Sequence, residues 1–240
     1  MGLFDKKFCD ICGGKIGLLG NRKLEDGNMC KNCAALLSPF MTDRRRTTLA
    51  EIKEHLAYRE ANKADVARFN VTRTLGNRTK VMLDEDAGKF IVSSSARWQG
   101  ENPDVMAFSQ VTGCLVDVDE TRTEEKTKDS EGKEISYNPR RYVYDYDFYV
   151  IIHVNSPWFS EIKFQINNRS ITERLSVEYR ECDALANEIK AALTQVRQDV
   201  RDGVIAAAAP KVAQTCPHCG ATVIPSADGR CEYCGGAMQG

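Results

Sequence analysis

The sequence predicts an α+β protein in three parts: a four-cysteine module at each end and, between them, an antiparallel β domain closed by a long C-terminal helix. Three observations predict it. Eight of the ten cysteines fall into two matched quartets of CxxC pairs, Cys9, Cys12, Cys30 and Cys33, then Cys216, Cys219, Cys231 and Cys234. Residues Tyr142, Tyr144, Tyr146, Phe148, Val150, Ile152 and Val154 alternate with their neighbours, as do Ile162, Phe164 and Ile166. That period of two marks antiparallel sheet with one wet face. Cys182, Leu185, Ile189, Ala192, Val196 and Val200 recur at helical spacing and mark the closing helix.

Each quartet suits zinc. Two residues between cysteines allow a tight turn that aims both sulfurs at one point, and four soft ligands satisfy a tetrahedral ion. Gly13, Gly14, Gly220, Gly235 and Gly236 follow cysteines where such a turn needs a positive φ. Two zinc ions per chain are expected. Rubredoxin-like iron uses similar pairs. Disulfides fit less well, because paired spacing belongs to metal sites and no signal peptide is visible. A thioredoxin-like pair would follow a strand and open a long helix, which neither quartet does. His218, inside the third pair, is expected to face solvent because four thiolates fill the shell. With every position filled, both sites are expected to be structural rather than catalytic.

The modules are expected to differ. Ala34-Ala35-Leu36-Leu37 after Cys33 reads as a helix, so the first module is treble-clef-like. The second has no helix former after Cys234. Val223 and Ile224 before Pro225, and the turn Asp228-Gly229, read as a zinc ribbon. The expected boundaries are a first finger over residues 1–46, a connecting helix over 47–70, the β domain over 71–202, an Ala/Pro linker over 203–215 and the ribbon over 216–240.

Thr48-Leu49-Ala50-Glu51 is a capping-box pattern, and Leu49, Ile52, Leu56 and Val66 give the connecting helix a thin apolar stripe. Val81 and Leu83, then Phe90 to Val92, flank a hairpin turn at residues 84–88. A helical turn is expected over Asp104 to Phe108 and a strand over Val111 to Val118. The polar stretch from Asp119 to Arg141 reads as a long mobile loop or as hairpin arms projecting beyond the sheet. Cys114 and Cys182 are expected to be core hydrophobes.

The N-terminal residues carry a resemblance. Cys9-Asp10-Ile11-Cys12-Gly13, Lys23-Leu24-Glu25-Asp26-Gly27 and Cys30-Lys31-Asn32-Cys33-Ala34 resemble a small bacterial family catalogued as domain of unknown function 4428. In that family the finger is often followed by the motif seen here as Phe69-Asn70-Val71-Thr72-Arg73-Thr74, then by a pleckstrin-homology-like (PH-like) domain. The strands closed by one helix resemble that barrel. The resemblance implies a PH-like barrel and a bacterial, cytoplasmic protein, but no activity.

The expected function is a non-enzymatic adaptor that binds protein partners through the PH-like domain and the fingers, with Tyr149 and Trp158 as candidate contacts. A second reading is nucleic-acid binding by the basic first finger. There Lys6, Lys7, Lys15, Arg22, Lys23 and Lys31 lie near the cysteines, and Arg44, Arg45 and Arg46 follow as a phosphate or partner contact. The charge balance disfavours it. The formal net charge is −1, and two zinc tetrathiolates take it to about −5. A third reading is membrane recruitment through the PH-like domain, for which only Arg140 and Arg141 offer a basic pair. No catalytic constellation, P-loop or dinucleotide fingerprint is visible, and no small-molecule substrate is implied.

Overall fold

The computed structural model describes residues 7–208, 213–224 and 229–238. The start of the chain through Lys6, residues 209–212 of the expected linker, and residues 225–228, which include Asp228 of the expected ribbon turn, lie outside them. The chain divides into two compact units, Met1–Gln198 and Asp199–Gly240.

In the first unit the finger opens with strands β1 (Arg22–Lys23) and β2 (Asn28–Met29) and helix α1 (Lys31–Ala34). Helix α2 runs from Leu49 to Arg68. Its capping box forms as expected, with Thr48 Oγ1 accepting from Glu51 N–H and Glu51 Oε2 accepting from Thr48 N–H. A second acceptor comes from the finger, where Asp26 Oδ1 takes the Leu49 N–H at 2.7 Å.

A four-stranded antiparallel sheet follows, in the order β3 (Arg73–Leu75), β4 (Lys80–Asp84), β5 (Lys89–Ser93), β6 (Met106–Ala107). β4 and β5 each bury consecutive residues, so both faces of this sheet are covered. The expected helical turn over 104–108 is not there. Met106 pairs with Phe90 as strand instead, and helical turns flank it as α3 (Trp98–Glu101) and a 3-10 turn over Phe108–Gln110. The reason is tertiary, since Val105 N–H donates to Asn62 of α2 rather than to a local carbonyl.

The second sheet has the order β7 (Val111–Lys128), β8 (Glu134–Val154), β9 (Glu161–Gln165), all antiparallel. Its alternation is as expected, with Tyr146, Phe148, Val150, Ile152 and Val154 buried. The polar stretch from Asp119 to Arg141 forms hairpin arms, not a loose loop. β7 and β8 stay paired to Lys128 and Glu134, apart from an irregularity after Glu125.

Helix α4 (Val177–Ala208) packs against both sheets. Tyr179 meets Phe148 and Tyr146 edge-on at 4.8 and 5.4 Å, and Glu188 pairs with Arg73 of β3 at 3.6 Å. Four plus three strands and a helix are consistent with the PH-like expectation, but the barrel is not closed: the two sheets remain separate. α4 also runs to Ala208, into the segment expected as a linker, since alanine is the best helix former. The second unit contains a strand pair, β10 (Gln214–Thr215) with β11 (Thr222–Val223).

Candidate metal centres and the basic finger

Cys9 and Cys12 lie on a knuckle. Cys9 N–H donates to Gly14 O and Gly13 N–H to Cys9 O, at 2.9 and 2.8 Å. Gly13 turns the chain at φ 70°, where a side chain would be strained. Cys30 and Cys33 come from a helix start instead. Cys30 caps α1, its sulfur accepting from Cys33 N–H at 3.4 Å. Knuckle, hairpin and the single helical turn of α1 give the expected treble-clef-like arrangement, although the helix ends at Ala34 and does not continue through Ala35 to Leu37 as expected.

The second site has two knuckles of the first kind. Cys216 N–H reaches Ala221 O and Gly220 N–H reaches Cys216 O; Cys231 and Gly235 repeat the pattern with Gly236 O and Cys231 O. Gly220 and Gly235 have φ of 73° and 70°. Two facing knuckles are the ribbon geometry. His218 is exposed, as expected, and its ring lies over Gly236, where an added Cβ would meet Cδ2 at 2.6 Å.

The sulfurs fit one ion per site. Bonds of about 2.3 Å to a tetrahedral zinc place sulfurs about 3.8 Å apart. Cys9 and Cys33 sulfurs lie 3.8 Å apart, as do those of Cys12 and Cys30. In the second site Cys216–Cys234 is 3.6 Å and Cys219–Cys231 is 3.7 Å. All ligand atoms within a group lie inside 4.8 Å of one another.

The thiol chemistry agrees. Burial raises Cys9, but backbone N–H groups of Cys12, Cys30 and Ile11 outweigh it and lower the thiol to about 6. Cys216 is likewise lowered to about 6, burial being outweighed by N–H groups of Cys219 and His218. Cys33 is driven well above its ordinary value by burial, by bonds shared with Cys30, Cys12 and Cys9, and by the Cys9 charge. Each site so arranged holds a thiolate ready for a cation, and Cys33 in the first and Cys219 in the second, both raised, need that cation to ionise.

Residues 7–55 match a family model described as domain of unknown function (DUF4428).

The span of the DUF4428 match has a physical explanation. It ends beyond the boundary expected at residue 46 because the finger's core includes Ile52 of α2, packed with Ile16, Leu24, Met29 and Leu37. No curated protein and no solved structure matches the chain.

Beneath the finger lies a buried polar node that sequence reasoning missed. Ser38 N–H donates to His55 Nε2 at 3.0 Å, and Ser38 Oγ to Asp104 Oδ2 at 2.7 Å. Arg59 pairs with Asp104 at 2.8 Å and reaches Leu36 O. Asn62 donates to Pro103 O and accepts from Val105 N–H. The node joins finger, α2 and sheet domain. Its signal was the spacing of 52, 55, 59, 62 and 66, one helical face, whose polar members hid it.

Other expected contacts are placed as follows. Trp158 is half-buried against His55 and Tyr58, at ring separations of 4.9 and 6.1 Å. Tyr149 is half-buried on the outer face of β8, with Lys163 Nζ 4.5 Å above its ring. Arg44, Arg45 and Arg46 form a 3-10 turn. Arg46 pairs with Asp43, while Arg44 and Arg45 line a cleft with Arg22 and Lys23. Arg140 pairs with Glu124, and Arg141 lies over Tyr137. Among the described residues, no helix is long and apolar enough to cross a membrane.

Proposed function

We propose that the chain is a non-enzymatic, zinc-stabilised adaptor of the bacterial cytosol whose partners are proteins. The observation that carries this reading is the β7–β8 arm. Residues from Asp119 to Lys128 and from Glu134 to Arg141 are mostly exposed on both faces, yet remain paired as a ribbon except at residues 137–140, which bulge out of β8 opposite the step from Glu125 to Lys126. At about 3.3 Å per residue, ten residues project roughly 30 Å. Such a ribbon is ill suited to core formation and presents an unpaired edge along β7, to which a partner strand can add. The closed shape of both cysteine sites supports zinc in a structural role, since a catalytic zinc keeps a position open. The PH-like order of strands and helix supports a docking domain rather than a reaction site.

The test compares the full chain with a variant in which residues 121–143 are replaced by a short Asn-Gly turn. Native mass spectrometry with elemental analysis is expected to find two zincs in both. The full chain is expected to retain a stoichiometric protein partner from its own host that the shortened chain loses. Iron in either site overturns the zinc assignment, and equal partner retention by both overturns the arm as the docking element.

A further inference from the structure

The first finger carries an apolar turn and a basic cleft side by side. Gly17 to Gly20 form a tight turn closed by Gly20 N–H to Gly17 O at 3.0 Å. At its tip Leu18 and Leu19 are 92% and 89% exposed, so neither contributes to the fold. Immediately beside it is a cleft of about 710 Å³ lined by Arg22, Lys23, Arg44 and Arg45, with Glu25 as its carboxylate. The two features are joined. The Arg22 guanidinium donates to Leu19 O at 3.2 Å and to Asn21 O at 3.3 Å, which fixes the turn against the cleft.

The cleft is short of negative charge. Arg44 is half-buried, its Nε is buried without a hydrogen-bond partner among the described residues, and its charged form is disfavoured by burial and by Arg22 and Arg45 nearby. A phosphate in the cleft would relieve this crowding of cations, since guanidinium groups match phosphate geometry.

Nucleic acid would use the cations but not the leucines. Among the described residues the cleft is lined by no aromatic ring on which a base could stack, and the chain's net charge is negative. An anionic bilayer uses both features, apolar side chains below the headgroups and arginines at the phosphates.

We propose that the first finger docks on anionic membrane, with a lipid phosphate in the Arg22–Arg44–Arg45 cleft and Leu18 and Leu19 inserted below it. This goes beyond the adaptor reading and assigns a surface to the finger rather than to the PH-like domain.

The test is co-sedimentation of the zinc-loaded full chain with vesicles of phosphatidylcholine alone and of phosphatidylcholine mixed with phosphatidylglycerol. Binding is expected only with the anionic lipid, and is expected to weaken as salt rises. Each cation near an anionic surface contributes about fivefold, so the Arg44→Gln/Arg45→Gln variant is expected to bind about 30-fold more weakly. Leu18→Ser/Leu19→Ser is expected to lose about tenfold or more. Because both leucines are exposed, its metal content should stay at the wild-type value. Equal binding to both vesicles, or binding untouched by either variant, overturns the proposal. Loss in the arginine variant alone, with inorganic phosphate or single-stranded RNA competing, also overturns it and assigns the cleft to a soluble anion.

Discussion

His55 shows how much a single side chain can decide. It is fully buried, and its Nε2 accepts the Ser38 N–H, so the ring must be neutral. Burial holds its pKa below the ordinary value; Asp104 pulls it back and Arg59 lowers it further. The unfolded chain therefore binds a proton more readily than the folded one. The stabilisation is complete above the unfolded value of about 6.5 and is lost as pH falls below it, by at most about 1.4 kcal/mol per pH unit. Chemical denaturation at several pH values should show this slope in the wild type. It should be flatter in His55→Gln, which keeps a neutral acceptor; equal slopes in the two proteins would remove His55 as the cause. His55 lies in a run of charged residues, and only its place on the helical face of 52, 59, 62 and 66 marks it.

At the scale of elements, α2 is the part on which the first unit depends. One face packs into the finger through Ile52, and the next turns bind the sheet domain through Arg59 and Asn62. The helix's start is held from two sides, by its own capping box and by Asp26 of the finger. Thr48→Ala is expected to cost about 1 kcal/mol, in the range of lost N-caps. Asp26→Ala should cost a similar amount despite lying over twenty residues away, because it leaves the Leu49 N–H without its acceptor. Thermal denaturation of both variants checks this, and an unchanged midpoint in Asp26→Ala would show that water replaces the carboxylate. The capping box was legible in Thr48-Leu49-Ala50-Glu51. The buried face was only half legible, because an apolar count finds Ile52 and Val66 and passes over His55, Arg59 and Asn62.

For the molecule as a whole, the two metal sites belong to different units. The first shares its core with α2, which in turn clamps the sheet domain, whereas the second is surrounded by its own cluster of Val223 and Met238. Cys33→Ser and Cys234→Ser should each remove one metal. Only Cys33→Ser should lower the unfolding midpoint of the sheet domain, since a finger that loses its ion loses on the order of 10 kcal/mol of folding energy and with it the Leu36 and Ser38 contacts. Hydrogen exchange on β4 and β8 reads the difference; equal protection in both variants would show that the finger and the sheet domain are uncoupled.

The sequence by itself determined the cysteine quartets, their different frames, the capped helix, the hairpin at residues 84–88 and the alternating strand to Val154. Each follows from short-range chemistry: ligand spacing, glycines at positive φ, a cap four residues long, a period of two. Tertiary structure alone decided the rest. Met106 is strand because Asn62 holds Val105, the polar stretch after Val118 pairs as a continuation of β7 and β8 up to Glu125 and again, after a bulge in β8, to Lys128, and the two sheets do not close. Arg22 meets Arg44 and Arg45 only because the finger folds β1 against the turn at residues 44–46. A buried charge is legible only when its partner is known, and here the partners come from segments dozens of residues apart.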